Sequence, residues 1–338
     1  MFLLLLSSFL SLTSASVPGS PVIGIMSQQT GDQLYIAASY VKFIEMAGGR
    51  AVPLSFFATN ETTEMWLSQL NGVLFPGGSA DLPETAQYIV DYSARKYAEG
   101  DYFPVWGTCL GFEWLALATG GYLVDVNSEN KSLPLEFTAL AENSYLYGSA
   151  ELRELLASEP GLTMNNHGQG CTPDMYAEDL PLGKVWNVLS TNIDSTGLPF
   201  VSSVEAKGGV PLFGVQWHPE KNTFENGQNP DGSPYGAEVH SADAVAVTFA
   251  MANKLANAAR KSQHTFEDPK FEQAALFSNC VPTDGKYPEF VQSYYFPIDW
   301  DGTTTPCGPG PSGKKGAGSD ETPLFVPDGH DVPKKQDH

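Results

Sequence analysis

A cysteine stands between two glycines in Gly107-Thr108-Cys109-Leu110-Gly111, with the apolar run Phe103–Trp106 before it and a helical pattern after it. A residue in that setting sits on a sharp strand-to-helix turn. Its sulfur is held at the C-terminal end of the strand, where the helix N-terminus favours the thiolate. This is the cysteine counterpart of the G-x-S-x-G nucleophile elbow. Such a nucleophile needs a base that also protonates the leaving group, and a group that orients the base. The chain holds six histidines, of which His264, His330 and His338 lie near or in the polar C-terminal region. His218 differs: it directly follows the apolar run Leu212–Trp217 and precedes Pro219 and Glu220. The proline stiffens the turn, and Glu220 is within reach of the imidazole to fix its tautomer. A glycine pair, Gly77-Gly78, ends a further apolar run, Gly72–Pro76. Bare N–H groups there are suited to a developing oxyanion. Together these residues specify acyl transfer.

The elements that must position them follow from the pattern. Val22–Met26, Arg50–Leu54, Gly72–Pro76 and Phe103–Trp106 read as short buried strands, and Tyr35–Met46, Glu61–Leu70 and Glu84–Gly100 as helices between them. Strands alternating with helices predict a doubly wound α/β sheet, which places its site at strand C-terminal ends. Gly77-Gly78 and Cys109 both fall at such ends. Further on, Val185–Ser190 and Leu198–Val204 read as a hairpin, Leu212–Trp217 as another buried strand and Ser241–Ala259 as a helix. From residue 301 the composition turns to Gly, Pro, Ser and charge, which predicts a mobile tail over 301–338.

The 338 residues carry 39 acidic against 18 basic side chains, a net charge of −21 with no Lys/Arg-rich run. Nucleic acid and anionic membrane are therefore excluded as partners. Residues 1–16 read as a secretory signal, because the apolar stretch is too short to span a bilayer and small residues precede Ser16. The Pro18–Pro21 break follows it, and the catalytic domain is expected over 17–300. The sequons at Asn60 and Asn130 agree with secretory passage. Four cysteines are few for a disulfide scaffold. With Cys109 free, Cys280 and Cys307 are the expected pair by their shared C-terminal location, and pairings with Cys171 stay open. No CxxC or HxxxH spacing offers a metal site.

Phe75–Gly78, Gly107–Gly111 and Gln216–Glu220, in this order and spacing, resemble the class I glutamine amidotransferase-like superfamily. Within it, Tyr35–Leu54, Asp101–Glu113, Phe213–Lys221 and a late Gln292–Phe296 are similar to the γ-glutamyl hydrolase family. The resemblance runs from about Pro21 to about Phe296. It implies a three-layer α/β/α sandwich with a mostly parallel central sheet, with Cys109 as nucleophile, His218 as base and Glu220 as orienter. Gly77 or Gly78 and Leu110 match positions whose N–H groups form the oxyanion hole. Glu113, one helical turn after Cys109, matches a substrate-pocket position; read on its own it is equally a first-turn acid favouring the helix dipole. His167 matches a family histidine near the glutamate site, although Gly168–Cys171 depart from the family pattern, and a surface-loop histidine is the competing reading. Lys221 is placed to meet a substrate carboxylate or to pair with a protein acid. His240 reads as structural and Cys171 as a bystander.

The resemblance implies cysteine-dependent hydrolysis of γ-glutamyl bonds in folylpoly-γ-glutamates and related poly-γ-glutamates, without a cofactor, and a homodimer is compatible with the family. A strongly anionic substrate and an acidic protein are in tension, which acid pH relieves in a lysosome, vacuole or acidic exterior. Two alternatives stay open. One is a stand-alone glutaminase or amidotransferase acting on the glutamine side-chain amide. The other is a non-catalytic secreted binding protein on the same fold.

Overall fold

The computed structural model describes residues 19–285 and 289–307. The expected signal at 1–16, and His330 and His338, lie outside the described residues. Along the chain, β1 (Val22–Met26) is followed by a short hairpin, β2 (Gln28–Thr30) and β3 (Gln33–Ala37), and then directly by α1 (Ala38–Met46). Next come β4 (Arg50–Leu54), α2 (Asn60–Leu67), β5 (Gly72–Phe75), α3 (Glu84–Ala98), β6 (Val105–Thr108) and α4 (Leu110–Ala118). The second half holds β7 (Val124–Leu133), β8 (Glu136–Phe137), β9 (Thr163–Gly170), β10 (Trp186–Ile193), β11 (Pro199–Ala206) and β12 (Leu212–Val215). A long helix, Ala242–Ala259, precedes β13 (Thr283–Asp284) and β14 (Gln292–Pro297).

Eight strands form the central sheet in the order β4-β1-β5-β6-β12-β11-β10-β8. The five from β4 to β12 are parallel, and β11, β10 and β8 continue antiparallel. The parallel strands are apolar on both faces because both faces are covered. In β1, Ile23 and Ile25 enter one core with α1 and the helix Ala242–Ala259, while Val22 and Met26 enter the other with α2, α3 and α4. The same period-2 division sends Leu74 and Trp106 one way and Val73, Phe75 and Val105 the other. The fold is thus the expected three-layer α/β/α sandwich.

Several expectations need correction. The segment Tyr35–Met46 is not one helix: Tyr35–Ala37 belong to β3, and the helix starts at Ala38. β3 pairs with β2 and β14 in a second, antiparallel sheet of order β13-β14-β3-β2. The strand before the cysteine is Val105–Thr108, shifted toward it from Phe103–Trp106, and α2 ends at Leu67. The polar tail does not begin at 301. The Gly302 carbonyl accepts from Trp66 Nε1 (2.8 Å), and Trp300 O accepts from Ser55 Oγ (2.6 Å). Cys307, buried, is disulfide-bonded to Cys280. The packed body therefore reaches Cys307, and only 308–338 of the expected tail lies outside the described residues.

That disulfide closes a loop with a sequence separation of 27. Replacing both cysteines by serine should lower stability by up to about 3–4 kcal/mol through the unfolded chain's regained entropy. It should also open residues 301–307 to limited proteolysis. Equal urea midpoints for the two proteins, with an unchanged digestion pattern, would show that the C-terminal segment is held by its packing alone.

Candidate active site

Cys109 sits at φ 53°, ψ −107°, immediately before α4. A non-glycine residue in such a conformation costs on the order of 1–3 kcal/mol and persists only where its surroundings enforce it. Here the Cys109 N–H donates to Val215 O (2.9 Å) and its carbonyl accepts from Glu113 N–H (3.0 Å). The flanking glycines allow the turn to close. A Cβ on Gly107 would lie 2.3 Å from Gly111 O, and one on Gly111 would lie 2.2 Å from Phe75 O. The elbow expected from the sequence is thus present, and its glycines are required by backbone approaching backbone.

His218 follows β12. Its N–H donates to Met164 O of β9 (2.7 Å), and the Pro219 carbonyl accepts from Thr248 Oγ1 (2.7 Å) on the helix Ala242–Ala259. The turn is therefore fixed from both sides. Nδ1 of His218 lies 2.7 Å from Glu220 Oε1, and both residues are buried. A carboxylate only accepts, so Nδ1 carries the proton and Nε2 is left as the basic nitrogen. His218 and Cys109 come together at Gly77. A Cβ there would lie 2.5 Å from His218 Cε1 and 3.2 Å from Cys109 Cβ. Both side chains line one cavity of about 400 Å³.

The glycine pair does not behave as two equivalent donors. The Gly77 N–H donates to Tyr40 Oη (2.7 Å) and is consumed by that bond. The carbonyls of Pro76 and Gly77 accept from Gln28 Nε2 (3.1 and 2.9 Å), and Gln28 Oε1 in turn accepts from Tyr35 Oη. Gly78 N–H has no protein acceptor among the described residues, and Gly78 lines the cavity. Leu110 N–H is directed at the Cys109 sulfur. Of the three N–H groups expected as oxyanion donors, at Gly77, Gly78 and Leu110, the one on Gly77 is thus already engaged by a buried tyrosine hydroxyl.

Burial, and then the charges of Glu113 and Glu220, push the Cys109 thiol well above its ordinary pKa; Leu110 N–H and Lys221 act the other way. The balance of these effects favours the thiol over the thiolate. Glu113 is buried on the first turn of α4, where its Oε1 accepts from Gln216 Nε2 (3.0 Å). Burial raises its carboxyl to about 7, against the Gln216 bond, which lowers it. Glu113 and His167 line a second cavity of about 600 Å³ that also reaches Cys109. His167 is on β9 and buried, not on a surface loop. Its Nδ1–H donates to Gln169 O (2.8 Å), and burial lowers its pKa to about 4, so it is neutral. Lys221 is buried as well. It donates to Glu289 O (3.1 Å) and lies 3.7 Å from Glu238 Oε1, so the protein acid expected as one alternative is present. It still lines the first cavity with Cys109 and His218.

Three other features singled out in the sequence have clear positions. His240 donates to Asn222 O (2.7 Å), a structural bond. Cys171 is a buried free thiol against Tyr122 O (3.6 Å). Asn60 and Asn130 are both exposed. Sequence reasoning missed Gln28 and Tyr40. A signal for Tyr40 existed: a tyrosine on the buried face of a helix needs a partner for its hydroxyl.

A strained cysteine at a strand–helix elbow, sharing a cavity with a carboxylate-held histidine, defines a cysteine hydrolase on an α/β/α scaffold. The Peptidase C26 family profile matches residues 21–220. The γ-glutamyl hydrolase of Homo sapiens is 38% identical over 293 residues, spanning 82% of this chain and 89% of that protein. γ-Glutamyl hydrolase B of Dictyostelium discoideum is 36% identical over 289 residues, 79% of this chain and 80% of that one. γ-Glutamyl hydrolase 1 of Arabidopsis thaliana is 35% identical over 276 residues, 79% and 76% of the two chains. The chain belongs to the Peptidase C26 family of γ-glutamyl hydrolases.

The raised carboxyl of Glu113 has a measurable consequence. Its folded-state pKa of about 7 exceeds the ordinary 4.5, so the native state binds this proton more tightly than the unfolded chain does. Its stabilising contribution is full below about 4.5 and is lost as pH rises through about 7. Glu113→Gln removes the titration. Relative to wild type, the variant should gain up to about 3 kcal/mol of unfolding free energy between pH 4 and pH 8. Urea unfolding of both proteins across that range checks this; parallel stability curves would show that Glu113 ionises freely in the fold.

Proposed function

We propose that the protein hydrolyses γ-glutamyl amide bonds in folylpoly-γ-glutamates and related poly-γ-glutamates, with Cys109 as nucleophile, His218 as base and Glu220 as orienter. The observation that carries this reading is the convergence of Cys109 and His218 on Gly77 within one cavity, with Nδ1 of the histidine held by Glu220. Family membership supplies the bond class.

With the Cys109 thiolate disfavoured by burial, the events are ordered as follows. His218 Nε2 takes the thiol proton as the sulfur attacks the γ-carbonyl carbon, forming the C–S bond and a tetrahedral oxyanion. Gly78 and Leu110 N–H groups receive that charge. The imidazolium, stabilised by Glu220, passes its proton to the amide nitrogen, and the C–N bond breaks to release the amine. Water then gives a proton to His218 and attacks the thioester carbonyl. The tetrahedral intermediate collapses, the C–S bond breaks, and the sulfur recovers its proton from the imidazolium. The γ-carboxylate of the glutamyl product leaves. The amine released is glutamate or a shorter γ-glutamate chain, and the pteroyl-bearing part is the acyl group that leaves with the new γ-carboxylate.

Glu113, His167 and Lys221 are the candidates for substrate contact. Lys221 supplies positive charge in a site otherwise rich in carboxylates, and Glu113 and His167 face the second cavity. The location we read is an acidic compartment of the secretory pathway or the exterior. The Cys280–Cys307 disulfide supports an oxidising environment. The exposed Asn60 and Asn130 are accessible to glycan addition. No helix of the described residues is long and apolar enough to cross a membrane.

Incubation with pteroylpentaglutamate between pH 4 and pH 8, followed by mass spectrometry, tests the reading. Wild type should shorten the chain and release glutamate or its oligomers. Cys109→Ala and His218→Asn should each fall by about 10³-fold or more. An intact pentaglutamate with wild type defeats the hydrolase reading, and cleavage retained in Cys109→Ala reassigns the nucleophile.

A further inference from the structure

Tyr40 lies on α1, an element that carries none of the residues placed in the reaction, and its ring is buried in the core between α1 and the sheet. Its hydroxyl emerges at the centre of the site. It accepts the Gly77 N–H at 2.7 Å and lies 3.3 Å from His218 Nδ1. A Cβ on Gly77 would lie 2.7 Å from this same oxygen. So the hydroxyl, the imidazole and the glycine backbone are packed against one another with no space for a side chain. We infer that Tyr40 is a positioning residue for the hydrolysis, its hydroxyl locking the Gly77–Gly78 turn, and with it the Gly78 N–H, to the His218–Glu220 pair.

Three observations carry this. First, the Gly77 N–H is buried and has no other acceptor, so the bond to Tyr40 is what keeps the turn in register with the histidine. Second, Gln28 holds the carbonyls of the same turn, through Pro76 O and Gly77 O. The turn is thus gripped on its acceptor side by Gln28 and on its donor side by Tyr40, and the Gly78 N–H is left facing the cavity. Third, Glu220 Oε2 is buried with no hydrogen-bond partner among the described residues. Burial first, and then the charge of Glu220, keep the Tyr40 hydroxyl protonated. A neutral hydroxyl that accepts from Gly77 has its own proton left for the His218–Glu220 pair. The groups that meet as the oxyanion forms, donor and base, therefore share one oxygen atom as their common reference.

This inference rests on the reading of Cys109 and His218 given above, and its test separates the two. Tyr40→Phe removes one oxygen and leaves the ring. Wild type and Cys109→Ala establish the activity and its nucleophile. Against them, Tyr40→Phe should lower kcat by about 10- to 100-fold with KM within about threefold, because the donor is misplaced for the transition state and not for the substrate. The pH profile of Cys109 alkylation by iodoacetamide should shift, because the histidine's surroundings have changed. Tyr147→Phe is the control. Tyr147 is equally buried and hydrogen-bonded, to Ser203 Oγ (2.8 Å), and this pair lies outside both cavities. It should lose thermal stability while keeping kcat and the alkylation profile. A Tyr40→Phe protein with wild-type kcat and alkylation profile overturns the inference. So does one that fails to fold, or whose loss of rate matches a rise in KM, since the hydroxyl would then serve stability or binding.

Discussion

The parallel register of β5, β6 and β12 is the constraint on which the site depends. Phe75 is level with Gly107, and Gly107 with Gly214, so the three strands finish together. Adjacent strands lie about 4.8 Å apart. The residue or two beyond each end must then fall within side-chain reach of the next. The Gly77–Gly78 turn leaves β5, Cys109 leaves β6 and His218 leaves β12, which places the three groups of the proposed reaction side by side. Shifting any one strand by a residue would turn its final side chain to the other face. The burial of both sheet faces forbids that slip, since it would exchange the members of two packed cores. The apolar alternation of β1, β5 and β6 is therefore a catalytic specification as much as a structural one.

Electrostatics set the manner of working. Burial and the charges of Glu113 and Glu220 disfavour the Cys109 thiolate, despite the helix N-terminus behind it. Desolvation and two carboxylates outweigh one N–H and one lysine. In the proposed reaction the proton then leaves as the bond forms, which makes the placement of His218 more demanding than in a site with a standing ion pair. The hydrogen bonds around the histidine are consistent with that demand. Its backbone is tied to β9, the next carbonyl to the helix Ala242–Ala259, and its Nδ1 to Glu220.

Much of this was legible in the chain. Short apolar runs with glycine at their ends mark parallel strands, and Gly107–Gly111 and His218–Glu220 mark the elbow and the carboxylate-held histidine beside it. What escaped was non-local or disguised. Tyr35–Ala37 carry the same apolar character as α1, and no breaking residue separates them, so strand and helix read as one element. β7 and β9, VDVNSENKSL and TMNNHGQG, are too polar to show alternation, yet they bring in His167 and the backbone that holds His218. Residues 301–307 have the composition of a tail, but one disulfide and the Gly302 and Thr304 carbonyls, which accept from the buried Trp66 and Trp300 side chains, anchor them. Composition reports what a segment can bury, and it is blind to a covalent tether.

The same limit explains the glycine pair. From sequence, Gly77 and Gly78 are equal candidates for an oxyanion donor, because both lack a side chain and both follow a strand. Only a third element distinguishes them. α1 delivers a tyrosine hydroxyl to one N–H and leaves the other facing the cavity, while the β2–β3 hairpin delivers Gln28 to the carbonyls. Motif residues supply the reacting atoms, and residues without any motif decide which of those atoms face the cavity. In a sheet whose site is assembled from strand ends, the chemistry is local in sequence and its aim is not. On the inference drawn above, the accuracy of the aim is held by ordinary-looking core positions such as Tyr40, where a single hydroxyl joins the packing of a helix to the Gly77 turn and the His218 ring.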